Sequence, residues 1–174
     1  MIVLYVIIAG LAILFIWAAF MPARYTIERE IVINKPQSDV FNYIRLLKNQ
    51  DYYSKWVMTD PAMKKNFTGT DGTVGFIYAW DSENKQAGKG AQEITKLTGN
   101  GIETEVRFEK PFKGTSHTAI ETEAISANQT NTIWKFTGDK NYMMKVMHLL
   151  FNLEKVLGKD METSLATLKN NLEE

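Results

Sequence analysis

Hydrophobic and polar positions alternate along this chain with three different periods. From Ile2 to Phe20 the sequence IVLYVIIAGLAILFIWAAF carries no charged side chain, and apolar residues fall on every side of a helical wheel. At about 1.5 Å per residue such a helix spans roughly 28 Å, close to the hydrocarbon thickness of a bilayer. Tyr25 to Asn34 then alternates with a period of two: Tyr25, Ile27, Ile31 and Ile33 share one face, and Glu28, Glu30 and Val32 the other. Pro36 ends that strand. Val40, Phe41, Ile44 and Leu47 recur at helical spacing and predict a short amphipathic helix over 37–47. Tyr52, Tyr53, Trp56 and Val57 predict a second, ending before Asp60-Pro61.

Strands follow. Val74, Phe76, Tyr78 and Trp80 fall on one strand face, and 87–97 reads as another strand. Ile102, Thr104, Val106 and Phe108 alternate with Glu103, Glu105, Arg107 and Glu109, the pattern of a half-buried antiparallel strand. Residues 115–125 and 130–136 complete the sheet. Asp71-Gly72 and Asn100-Gly101 are hairpin signals. The count is about seven strands, six of them consecutive. From Tyr142 the period becomes about 3.6: Val146, Leu149, Leu150, Leu153, Leu157, Met161, Leu165, Leu168 and Leu172 trace one face of a helix of about 30 residues, with Gly158 as a bend or a close approach to the sheet. A long amphipathic helix must bury its stripe, and an antiparallel sheet is the available partner.

Charge sharpens the first segment. All 20 Lys and Arg and all 20 Asp and Glu lie after it. The chain therefore divides into an anchor helix at 1–22 and a soluble domain at 24–174. A cleaved signal peptide is the competing reading, but no A-x-A site appears and no Lys or Arg precedes the apolar run. Arg24, Arg29 and Lys35 follow the span, which predicts a single-pass membrane protein with its soluble domain on the cytoplasmic side. The balanced charge, with no basic stripe, gives nucleic-acid binding no support. Cysteine is absent, which removes thiol chemistry, disulfides and iron–sulfur ligation.

The order strand, two short helices, six strands, long helix resembles the helix-grip fold of the START/Bet v 1-like superfamily. Within it the chain looks like the membrane-anchored bacterial proteins of SRPBCC, or polyketide cyclase/dehydrase, type. The residues that carry the resemblance are the entry strand YTIEREIVIN followed by Pro36, the Val40-Phe41 pair, Trp56, the Gly90-x-x-x-Ile94 strand, and Trp134-x-Phe136 before the last helix. The expected fold class is therefore α+β, an antiparallel sheet curved around a long C-terminal helix and preceded by one transmembrane helix.

The resemblance implies a cavity between sheet and helix that takes a hydrophobic small molecule or lipid. Its candidate wall residues are Tyr78, Trp80, Phe108, Trp134, Met144, Met147 and Phe151, with Phe136 and Met143 beside them. The same aromatic and Met positions equally suit a filled core. No cofactor is implied. The only histidines, His117 and His148, have no metal-ligand spacing. Either would serve as an acid–base group if it faced the cavity, which makes a cyclase- or hydrolase-type enzyme the second reading. A filled grip working through its outer surface, as in the Hsp90-activator branch of the fold, is the third.

Overall fold

The structure is a computed structural model that describes residues 2–111, 113–140, 142, 144–146 and 152–174, without the side chains of Leu4, Val6, Ile7, Leu11 and Leu153. The uncharged run forms one helix, α1 (Ile2–Phe20), of 19 residues. Counted over the described side chains alone, no helix is long and apolar enough to cross a membrane. The backbone of α1 is nonetheless continuous, and Ile2, Val3, Ile13, Ile16, Trp17 and Phe20 are all exposed around it.

Strand β1 (Arg24–Ile33) takes the register its alternation predicts, with Ile27 and Ile33 buried and Glu28 and Glu30 in solvent. Helix α2 (Gln37–Ile44) buries Val40 and Ile44. It is shorter than 37–47, because the chain turns at Arg45 and Leu46 and resumes as a single 3-10 turn over Leu47–Asn49. The Asp71 carboxylate accepts the N–H groups of Leu47 and Lys48 at 2.8 and 3.1 Å, satisfying donors that a helix start leaves orphaned. The second predicted helix is two, α3 (Gln50–Tyr53) and α4 (Lys55–Met58), parted at Ser54, whose backbone is extended.

Seven strands make one antiparallel sheet in the order β1-β7-β6-β5-β4-β3-β2. They are β2 (Lys64–Thr68), β3 (Ile77–Asp81), β4 (Lys89–Leu97), β5 (Gly101–Lys110), β6 (Gly114–Ser126) and β7 (Gln129–Asp139), besides β1. Strand β2 completes the predicted count at a place where no alternation stands out. Asp71-Gly72 is not a two-residue hairpin: it sits within the longer 69–76 connection, and Val74 lies in that loop, exposed. Asn100-Gly101 does close the β4–β5 hairpin, with Thr98 N–H donating to the Gly101 carbonyl at 2.9 Å.

The C-terminal helix α5 (Leu153–Glu173) has 21 residues. The expected helix of about 30 residues does not form as one piece. Asn152 leaves the helical region (φ −68°, ψ 76°), and its side-chain oxygen accepts the Lys155 N–H at 3.0 Å, so a new helix starts there. Residues 142 and 144–146 are helical, and Tyr142 donates to the Phe15 carbonyl of α1 at 2.9 Å. Helix α5 lays Met161, Leu165 and Leu168 on the sheet face, all buried. Gly158 is the close approach its position suggests: a Cβ there would lie 2.2 Å from the Arg29 guanidinium, which continues to Glu162 at 2.6 Å. Lys55 N–H to Ser164 at 2.8 Å and Trp56 Nε1 to Asp160 at 3.2 Å tie α4 to α5. The sheet's inner face, α3–α4 and α5 thus enclose a common interior. This is the helix-grip arrangement.

Candidate functional site

That interior is not solid. A cavity of about 210 Å³ lies between the inner face of β3–β7, the α3–α4 segment and the start of α5. The strand alternation that buries Ile94, Ile102 and Ile120 also turns Gln92, Val106, Phe108 and Thr118 inward to line it. Tyr78 and Trp80 come from β3, and Trp134 and Phe136 from β7. The opposite wall is Gln50, Ser54, Trp56 and Val57, with Leu157 of α5 beside them. Met63, Gln86 and Ala87, from two loops, complete it, and Gln86 is solvent-exposed.

The aromatic wall is held by edge-to-face contacts. Trp56 meets Trp134 at 5.7 Å and 77°, and Trp80 meets Phe108 at 6.2 Å and 79°. Trp80 lies across Gly90, where a Cβ would come within 2.7 Å of its ring. Its indole N–H is spent on the Ala87 carbonyl at 2.9 Å, so the ring presents only its apolar surface. The sheet side has a short polar ladder: Gln92 Nε2 donates to Thr104 at 2.9 Å, and Thr104 pairs with Thr118 at 3.0 Å.

Among the described residues, no charged side chain and no histidine lines the cavity. Tyr78 is the one titratable group among the described wall residues, and its hydroxyl donates to Asp51 at 2.6 Å. Burial, then the hydrogen bond to Asp51 and the charge of that carboxylate, push its pKa far above the ordinary phenol range. The hydroxyl therefore stays protonated and is no base.

Four of the expected wall residues, Tyr78, Trp80, Phe108 and Trp134, are brought together here, with Phe136 beside them. Met144 is described but is not in the wall. Met143, Met147, Phe151 and His148 lie outside the described residues. His117 is on the other side of the sheet: it pairs with Glu105 and Thr137 and is exposed, because its neighbours Ser116 and Thr118 take the inward positions. It borders an outer hollow of about 220 Å³ with Glu103 and Lys135, both already ion-paired. As a cavity acid–base group His117 is excluded by this placement. Sequence reasoning missed Gln50, Ser54, Gln92 and Thr118. For the last two the signal was present, as polar residues at inward positions of otherwise apolar strand faces; for Gln50 and Ser54 there was none, since the break at Ser54 is a tertiary effect.

No family model matches this chain, and no curated protein does. Solved structures do. The Zhui aromatase/cyclase of Streptomyces sp. R1128 superposes with a TM-score of 0.64 at 10% identity, over 86% of this chain and 94% of that one. Norcoclaurine synthase from Thalictrum flavum, in complex with dopamine and hydroxybenzaldehyde, gives 0.59 at 12% identity, over 84% and 87%. Ara h 8.0201 gives 0.57 at 11% identity, over 86% and 97%. At such identities the likeness is one of fold alone: this chain shares the architecture of these three proteins, an antiparallel sheet closed by a C-terminal helix.

Proposed function

We propose that this chain is a membrane-tethered binding protein for a hydrophobic small molecule held between sheet and C-terminal helix. The observation that carries the reading is the cavity itself: about 210 Å³, aromatic-walled and without a charged group among the described residues. An apolar cavity of about 150 Å³ takes up a benzene molecule, so this one suits a ligand of roughly one ring with a substituent. A two-chain lipid is far too large for it. Norcoclaurine synthase, with the same fold, binds the one-ring molecules dopamine and hydroxybenzaldehyde. Cyclase chemistry through His117 is the less favoured reading, because His117 faces away and Tyr78 is held protonated. A filled grip acting only through its surface is disfavoured by the same cavity.

The tether reading rests on α1, which has no charged residue over 19 positions and offers no polar face to water. Holding the cavity beside a bilayer raises the local concentration of an oily ligand without any new contact. Arg24 at the end of the span, with Arg29 and Lys35, favours a cytoplasmic soluble domain. Native mass spectrometry of the full chain released from nanodiscs tests the ligand. A co-purifying neutral molecule of one-ring size is expected, and protein that stays empty and takes up no aromatic probe would overturn the reading. Protease protection in membrane vesicles tests the topology; digestion of 24–174 from the outer face would reverse it.

A further inference from the structure

The cavity wall contains polar groups that the protein itself leaves unused. Gln50 is 7% exposed, lines the cavity, and its side-chain amide makes no hydrogen bond with any described residue. Ser54, one helical turn on and 1% exposed, lines the same wall with its hydroxyl equally unspent. Across the cavity, Gln92 is 9% exposed; its amide N–H goes to Thr104, and its carbonyl has no partner among the described residues. Buried polar groups are nearly always paired, because leaving one unmade costs the desolvation of that group. In the same wall the Trp134 indole N–H is fully buried with no partner among the described residues, so the unmet polar groups gather at this cavity. The amide side chains supply both donors and acceptors, and no charged side chain stands among the described wall residues to balance an ion.

Resting on the binding reading above, we infer that the ligand is an uncharged one-ring molecule bearing a hydroxyl or carbonyl group. The Gln50–Ser54 turn reads that group while the aromatic wall holds the ring. Gln50 and Ser54 are specificity-determining, and an anionic analogue of the same ring is rejected because no cation in the described wall compensates it.

The test uses three probes of matched shape, toluene, p-cresol and p-toluate, titrated by ligand-observed NMR against the full chain in nanodiscs, with empty nanodiscs as blank. One added hydrogen bond predicts p-cresol binding about 3- to 10-fold tighter than toluene. At pH 8 p-toluate is expected at least about 10-fold weaker than p-cresol. In Gln50→Leu, and separately in Ser54→Ala, the ratio of p-cresol to toluene affinity falls toward one, and a circular dichroism spectrum like that of the unsubstituted chain reports that each variant is folded. Equal binding of toluene and p-cresol, p-toluate binding as well as p-cresol, or an unchanged p-cresol advantage in both variants would overturn this inference and leave the binding reading standing. No binding of any probe would overturn the binding reading and this inference together.

Discussion

The two faces of the sheet are made from the same strands, residue by residue, yet they carry opposite chemistry. On the inner face β4 to β7 present Gln92, Thr104, Val106, Phe108, Thr118, Trp134 and Phe136. One position along, the outer face presents Glu93, Glu105, Arg107, Glu121 and Lys135. There Glu93 and Glu105 stand directly opposite each other, and Arg107 bridges them at 2.8 and 2.7 Å. Lys135 does the same for Glu121 and Glu28. The outer face consumes its charges among themselves in water. The inner face leaves polar groups unspent in its cavity, so the groups able to meet a ligand lie inside, away from the exposed His117.

The largest test of the contrast is Trp134→Ala. Trp134 is 3% exposed and touches both Tyr53 and Trp56 rings, so its loss is expected to cost about 3–5 kcal/mol in chemical denaturation. A cost below about 1 kcal/mol would mean that the inner face is not packed as described. Gly90→Ala comes next. Its Cβ would stand 2.5 Å from the Arg107 carbonyl as well as 2.7 Å from Trp80, so strand backbone must give way, at about 1–3 kcal/mol. Displaced Trp80 should also weaken binding of any aromatic probe, measured by the same NMR titration; unchanged affinity would remove Trp80 from the site.

Alkaline pH separates the faces in another way. Burial, then the charge of Tyr43, raises the Tyr53 pKa, and burial with Asp51 raises that of Tyr78. A raised folded-state pKa adds stability that is fully present below the unfolded phenol value of about 10 and is lost as pH rises toward the folded value. Stability should therefore fall above pH 10, and Tyr78→Phe should flatten that fall. Ultraviolet titration should show at least two of the seven tyrosines ionising only as the protein unfolds. Free ionisation of all seven near pH 10 in folded protein would refute this burial.

The smallest effects are expected outside. Arg107→Ala should cost no more than about 1 kcal/mol, shrinking in salt, because its half-buried partners still reach solvent. His117→Ala should shift stability by less than about 0.5 kcal/mol and leave probe binding unchanged. A loss of binding in either variant would return the outer face to consideration.

Much of this was legible from local pattern. The alternation of β1 and β5, the stripe Met161-Leu165-Leu168 and the aromatic positions of β3 and β7 all face where their spacing placed them. Three features were not. The helix break at Asn152 interrupts an unbroken apolar periodicity, because a side-chain cap competes there with helix continuation. Strand β2 has almost no buried face, being the sheet's edge, so burial left no alternation in it. Gln50 and Ser54 sit where two one-turn helices change direction, and no periodicity marks such a place.

By itself the sequence determined which side of each strand and helix is apolar, and that one uncharged helix precedes everything else, since side-chain direction repeats with the local backbone period. Only the tertiary structure decided that the space between those apolar sides is hollow. The gap depends on how far α3, α4 and α5 stand from the sheet, through contacts between residues as distant in the chain as Lys55 and Ser164, and no local period contains that distance.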